Sequence, residues 1–129
     1  MTATAHTEKA GAFRQELHID PAGHVLFADT EAGAPSPHDL FDASLAACKA
    51  LTAHVYAKQR GFPLERVKVV VVRDDSKERE GHYGLTATVS FEGAALTDEQ
   101  RTRLHDVLTR CPVHKLMTST EVTISSVVG

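Results

Sequence analysis

Two cysteines, Cys48 and Cys111, are the side chains of this sequence best suited to covalent chemistry, and they stand 111 − 48 = 63 positions apart. In a reducing compartment such a pair reads as free, catalytic or metal-bound thiols rather than as a structural staple. Free cysteine also packs as a small hydrophobe, so two unrelated buried thiols are the plain alternative. Cys48 falls in mid-helix on one stripe with Phe41, Leu45, Leu51 and Val55, at spacings that place them on one face. Taken alone, that position predicts a buried thiol with a raised pKa. Cys111 ends one helix and precedes Pro112, which would set its sulfur at the positive end of the next turn and favour a thiolate. If the two helices pack against each other the sulfurs approach, and a reversible disulfide becomes possible.

Metal binding is the rival chemistry. Cys111 and His114 have a C-x-x-H spacing that Cys48, His38 or His54 could complete. A zinc site normally shows two paired short spacings, and this sequence has one such half. His6, His18, His24, His82 and His105 fall in strands, turns or exposed helix faces and read as surface residues. No G-x-S-x-G, H-E-x-x-H, P-loop or G-x-G-x-x-G pattern occurs, so hydrolase, zincin and nucleotide readings have no support. The charged run at Asp74, Asp75, Glu78, Arg79 and Glu80 reads as a solvated hairpin tip.

The elements that must position these residues fit one domain. The chain has 129 residues, 42% hydrophobic and 24% charged, an ordinary globular composition with length for a real core. Fourteen Lys and Arg against seventeen Asp and Glu give a charge of −3, which argues against a nucleic-acid partner. No apolar stretch nears the ~18 residues of a membrane span, and Met1 to Phe13 lacks the apolar core of a signal peptide. A cytoplasmic protein with no membrane partner is the expectation.

Residues 1–11 are small and polar and are expected to fray. Phe13 to Ile19 alternates with period 2, Asp20-Pro21-Ala22-Gly23 is turn chemistry, and His24 to Asp29 resumes as a second strand. A loop over Ala32 to Pro37 leads into a long helix, His38 to Arg60. Ser36 is its N-cap, Pro37 its first position, and Gly61 with Pro63 its stop. Alanines at 43, 46, 47, 50 and 53 permit another element to come close. Leu64 to Arg73 reads as a buried strand, and Tyr83 to Phe91 alternates as its hairpin partner. A Thr97–Gln100 capping box opens a helix to about Arg110, a short turn covers Val113 to Met117, and Glu121 to Val128 alternates as a closing strand. The order is β-β-α-β-β-α-α-β, an α+β fold. One helix layer leaves apolar faces uncovered, so a second copy packed on the Ala-rich helix, a homodimer, is expected.

Ser36-Pro37-His38-Asp39-Leu40-Phe41-Asp42-Ala43-Ser44-Leu45-Ala46-Ala47-Cys48 resembles the helix-opening motif of the OsmC/Ohr family. Cys111-Pro112-Val113-His114-Lys115 resembles its second cysteine motif, and Gly93 through Leu104 its lead into the second helix. The likeness covers about Phe13 to Val128. It implies an intertwined homodimer and a thiol peroxidase that reduces organic hydroperoxides without a cofactor or metal. By motif, Cys48 would be the peroxidatic thiol and Cys111 the resolving one, with an external dithiol as reductant. Peroxidatic members carry a glutamate after the motif's Pro, paired with an arginine. Here His38 stands in that place, with Asp39 beside it and Arg14 the one arginine upstream, as in the general OsmC-like branch. An imidazolium at His38 would stabilise a thiolate by opposite charge. Phe41, Leu45 and Met117 are the expected substrate-binding residues. Two other readings stay open: a non-catalytic module that binds a hydrophobic ligand, and a metal-binding protein using Cys48, Cys111 and His114.

Overall fold

A computed structural model describes residues 2–29 and 33–129, with backbone alone at 24–26. It is a mixed α+β chain of three helices and two small sheets. Contacts divide it into two compact units, Met1–Phe41 and Asp42–Gly129.

The first unit holds an antiparallel three-stranded sheet in the order β1-β2-β3, with β1 at Thr2–Thr7, β2 at Gln15–Asp20 and β3 at His24–Ala28. The β2–β3 hairpin is the one its alternation predicts. Strand β1 corrects the expected frayed tail: Thr2 pairs with Asp20 and Thr7 with Gln15. All six β1 residues are exposed, so backbone pairing to an open sheet edge holds the strand, and hydrophobic patterning carries no trace of it. Ala32, in the expected loop, and the His24 side chain lie outside the described residues.

Helix α1, Pro37–Arg60, begins on a reciprocal cap. The Ser36 amide donates to Asp39 Oδ2 at 2.9 Å, and the Asp39 amide donates to Ser36 Oγ at 3.2 Å. It stops where Gly61 takes φ +70° and the Phe62 amide reaches back to the Ala57 carbonyl at 2.8 Å, the wrap that only glycine adopts without strain.

In the second unit β4, Arg66–Asp74, and β5, Gly84–Glu92, form a two-stranded antiparallel sheet with Val69 opposite Val89. The valine run is half-buried, which corrects the expected fully buried strand: Val67, Val69 and Val71 face inward while Val70 and Val72 are exposed. A two-stranded sheet is covered here on one face only. Helix α2, Asp98–Val107, opens on the Thr97/Gln100 capping box. It passes through a 3-10 turn at Leu108–Arg110 into α3, Pro112–Thr118.

The core lies where α2 crosses α1. Ala53 packs with Val107 and Leu108, and Ala57 with Leu96 and Leu104, under Leu64, Val67, Val89 and Phe91 of the hairpin side. The small side chains of Ala53 and Ala57 thus lie against the apolar stripe of α2. The buried face of α1 within this unit is Asp42, Leu45, Lys49, Ala53 and Ala57. Leu51 and Val55, expected on the buried stripe, are exposed. The expected closing strand is absent as well: residues 119–129 carry no regular structure, and Ile124, Val127 and Val128 are exposed. Alternation makes a strand only where the segment lies beside a sheet edge, and residues 119–129 pair with neither β4 nor β5.

Gly93 marks the tightest junction. A Cβ built there would lie 2.4 Å from the Pro63 carbonyl oxygen and 3.3 Å from Leu96 Cβ. Gly93→Ala must push two backbone segments apart, and we expect it to lower the unfolding free energy by about 1–3 kcal/mol. Urea denaturation checks this.

Candidate functional site

The two cysteines meet at the corner between the Leu108–Arg110 turn and α3. Cys111 is the N-cap of α3 and is fully buried; its sulfur accepts from the His114 amide at 3.3 Å. The Cys48 sulfur, half-buried on α1, accepts from the Val113 amide at 3.5 Å. Successive amides of one helical turn, those of Val113 and His114, thus bring the two sulfurs to the same corner, and both thiols are free. Residues 63 positions apart are therefore neighbours because α1 and the end of α2 share a core.

Burial pushes the Cys111 thiol up from its ordinary pKa. The His114 amide pulls it back, the neighbouring Cys48 adds to the rise, and the Lys49 charge lowers it. This corrects the expectation of an acidic Cys111. The helix-end geometry is present, but desolvation in a fully buried position outweighs one amide hydrogen bond.

Lys49, next to Cys48 in sequence, is buried although it is a lysine. Its ammonium donates to the Leu108 carbonyl at 2.9 Å and meets His114 Nδ1 at 3.1 Å. Seven residues earlier on the same face, Asp42 is buried too. Arg73 Nε approaches its Oδ2 at 2.8 Å, and the Tyr83 hydroxyl donates to its Oδ1 at 2.7 Å. The sequence reading gave neither residue a role of its own. The signal was the spacing 42, 45, 49, 53, 57, an i, i+3, i+4 series that places two charges on a small-residue face.

Beside Cys48 opens a mostly apolar cavity of about 420 Å³, lined by Leu51, Val55, Val107 and Pro112, with Tyr56 and Arg110 among its polar groups. Arg103 Nε donates to the Tyr56 hydroxyl at 3.2 Å, and the Arg60 guanidinium sits 5.0 Å from the ring centre. Arg103, foremost, draws the Tyr56 pKa below its usual value. Phe41, Leu45 and Met117 are not among the lining residues. Leu45 is buried in the second unit, Met117 is half-buried on α3, and Phe41 is exposed in the first unit.

Arg14, His38 and Asp39 also belong to the first unit. Arg14 pairs there with Asp29 at 3.4 Å and Glu8 at 3.9 Å, and lies over the Phe27 ring. Asp39 caps α1, and His38 is exposed in its first turn. Among the described residues no group of three His, Cys, Asp or Glu side chains is placed to hold a metal ion, and no helix is long and apolar enough to cross a membrane.

A family model described as "OsmC-like protein" matches residues 29–126. The chain belongs to the OsmC-like family. Solved structures agree on the fold. The OsmC-like protein of Mycoplasma pneumoniae superposes with a TM-score of 0.73 at 17% identity, over 92% of this chain and 86% of that one. An OsmC-like protein of unknown function from Vibrio cholerae gives 0.67 at 18%, over 93% and 94%. The organic hydroperoxide resistance protein OhrB of Bacillus subtilis gives 0.62 at 19%, over 92% of both chains. No curated protein matches.

The Tyr83 hydroxyl offers a pH test of this unit. Burial first, and the hydrogen bond to Asp42 next, push its pKa up from 10.0 to about 12. The folded chain therefore keeps this proton over a range in which the unfolded chain loses it. The contribution to stability is complete below pH 10 and is lost as pH rises towards 12. Tyr83→Phe should flatten the fall in the urea midpoint between those two pH values, while lowering the midpoint below pH 10 because the Asp42 bond is gone.

Proposed function

We propose that this OsmC-like protein is a thiol peroxidase that reduces organic hydroperoxides in oxidative stress defence, with Cys48 peroxidatic and Cys111 resolving. The observation that carries the reading is that the two thiols accept from successive amides, Val113 and His114, beside an apolar cavity. Cys48 is the accessible sulfur of the pair and lines that cavity, whereas Cys111 is fully buried. A peroxide entering from the cavity would meet Cys48 first.

The Cys48 thiolate attacks the outer peroxide oxygen, the O–O bond breaks, and the alkoxide takes a proton and leaves as an alcohol. Cys48 is then a sulfenic acid. Cys111 attacks that sulfur, the S–O bond breaks, and water leaves with the Cys111 proton. The resulting disulfide is opened by an external dithiol, and no cofactor enters the cycle. Apolar walls suit the organic part of a hydroperoxide and keep the sulfenic acid from bulk water. A likeness to the Bacillus subtilis protein named for organic hydroperoxide resistance supports the same chemistry. A reducing cytoplasm, where these thiols persist free, fits the cycle.

The active form in this reading is a homodimer. Leu51 and Val55 of α1 are both exposed in the single chain, and a second copy over them would shield apolar surface from water. Leu51→Glu is expected to convert a dimer to monomers in analytical ultracentrifugation. A wild-type monomer at micromolar concentration would contradict this.

The thiol count tests the chemistry. Reduced protein mixed with cumene hydroperoxide should lose both thiols to an intramolecular disulfide, read by mass spectrometry. Cys48→Ser should leave Cys111 unoxidised, and Cys111→Ser should stop at a sulfenic acid trapped by dimedone. Unchanged thiols in the wild type would remove the peroxidase reading and leave a module that binds an apolar ligand in the same cavity.

A further inference from the structure

Lys49 stands out because a buried ammonium normally has a carboxylate beside it. Its hydrogen-bond partners are the Leu108 carbonyl and His114 Nδ1, neither of them a carboxylate. Among the described residues no carboxylate lies within ion-pair reach of it. Those two partners flank Cys111 by three residues on either side. The Leu108 carbonyl also accepts from the Cys111 amide at 3.3 Å, and the His114 amide donates to the Cys111 sulfur. One lysine thus spans both arms of the corner that holds the buried sulfur, from the residue next to Cys48. The one buried carboxylate on the same helix face, Asp42, is engaged with Arg73 and Tyr83.

We propose that Lys49 is a positioning residue that holds its positive charge against the Cys111 sulfur, so that a thiolate can form there in a site that burial otherwise makes hostile to it. The inference rests on the proposed resolving role of Cys111 for its biological meaning. A buried cation and a buried anion each lower the desolvation cost of the other, so Lys49 gains its missing counter-charge when Cys111 ionises. In the closing step the Cys111 thiolate bonds to the Cys48 sulfur, the Cys48 S–O bond breaks, and the displaced hydroxide leaves as water with the proton that Cys111 gave up. The Leu108 carbonyl and His114 hold the ammonium in place.

The titratable groups facing Lys49 are Cys48 on its own helix, Cys111 at the corner and His114 on α3. In a Cys48→Ser background, Cys111 is the one remaining thiol, and the Cβ chemical shift of 13C-labelled cysteine reads its titration with no peroxide present. Lys49→Gln, which keeps a donor for the Leu108 carbonyl without the charge, should raise the Cys111 midpoint by about one pH unit, a tenfold loss of thiolate. Lys49→Met should do the same, and Lys49→Arg should restore most of the difference. An unchanged midpoint in either folded neutral variant overturns the proposal, as does an equal rise in Lys49→Arg, which would assign the effect to packing. With cumene hydroperoxide, Lys49→Gln alone should form the sulfenic acid at the wild-type rate and close the disulfide about tenfold more slowly. Equal closing rates would also overturn it. Absence of sulfenic acid in every variant would instead remove the peroxidase reading, and the titration would still decide the role of Lys49.

Discussion

The contact of two alanines on α1 with the apolar stripe of α2 is the constraint on which the second unit depends. Ala53 and Ala57 present only methyl groups, and Leu104, Val107 and Leu108 pack against them. Helix–helix distances depend on such contact residues. Once α2 is fixed there, its end falls beside the preceding turn of α1. The turn at Leu108–Arg110 and the Cys111–Pro112 corner then have one place to go, next to Cys48 and Lys49. The thiol pair is a by-product of this packing. A larger residue at position 53 would move the corner and the sulfurs apart.

Polar groups share the same buried face, and each has found a partner. Asp42 is held by a guanidinium and a phenol from the β4–β5 hairpin, and Lys49 by a carbonyl and an imidazole from the far end of the chain. Buried ion pairs contribute little net stability after desolvation, yet removing one partner is costly. Such groups therefore fix the register of α1 against its neighbours more than they strengthen the unit. Near the cysteines the same low polarity has a chemical consequence. It pushes the Cys111 thiol towards its neutral form.

How much was legible in the sequence follows from the kind of signal each element leaves. The caps of α1 and α2, the glycine stop at position 61 and the alternation of β5 are local, and the structure repeats them. Strand β1 left no hydrophobic signal because its residues are exposed on both faces. The closing alternation at residues 121–128 misled for the opposite reason, since a strand pattern without an adjacent edge does not make a strand. Along β4, five closely spaced valines mask a period-2 burial that only a one-sided sheet produces. For the candidate site, both cysteines and His114 were readable from type and spacing. Lys49 and Asp42 were not, because a charge on a helix reads as solvated until a neighbour encloses it.

The sequence alone settled which segments coil, where α1 starts and stops, which two sulfurs exist and the motifs that tie the chain to its family. Those are properties of neighbouring residues and of backbone preference. Tertiary packing alone decided that both sulfurs lie at the first turn of α3, that the thiol at the helix end is buried and weakened as an acid, and that a lysine stands beside it. Proximity, desolvation and Coulombic interaction act through space, so a linear order of residues does not contain them until the helices have closed on one another.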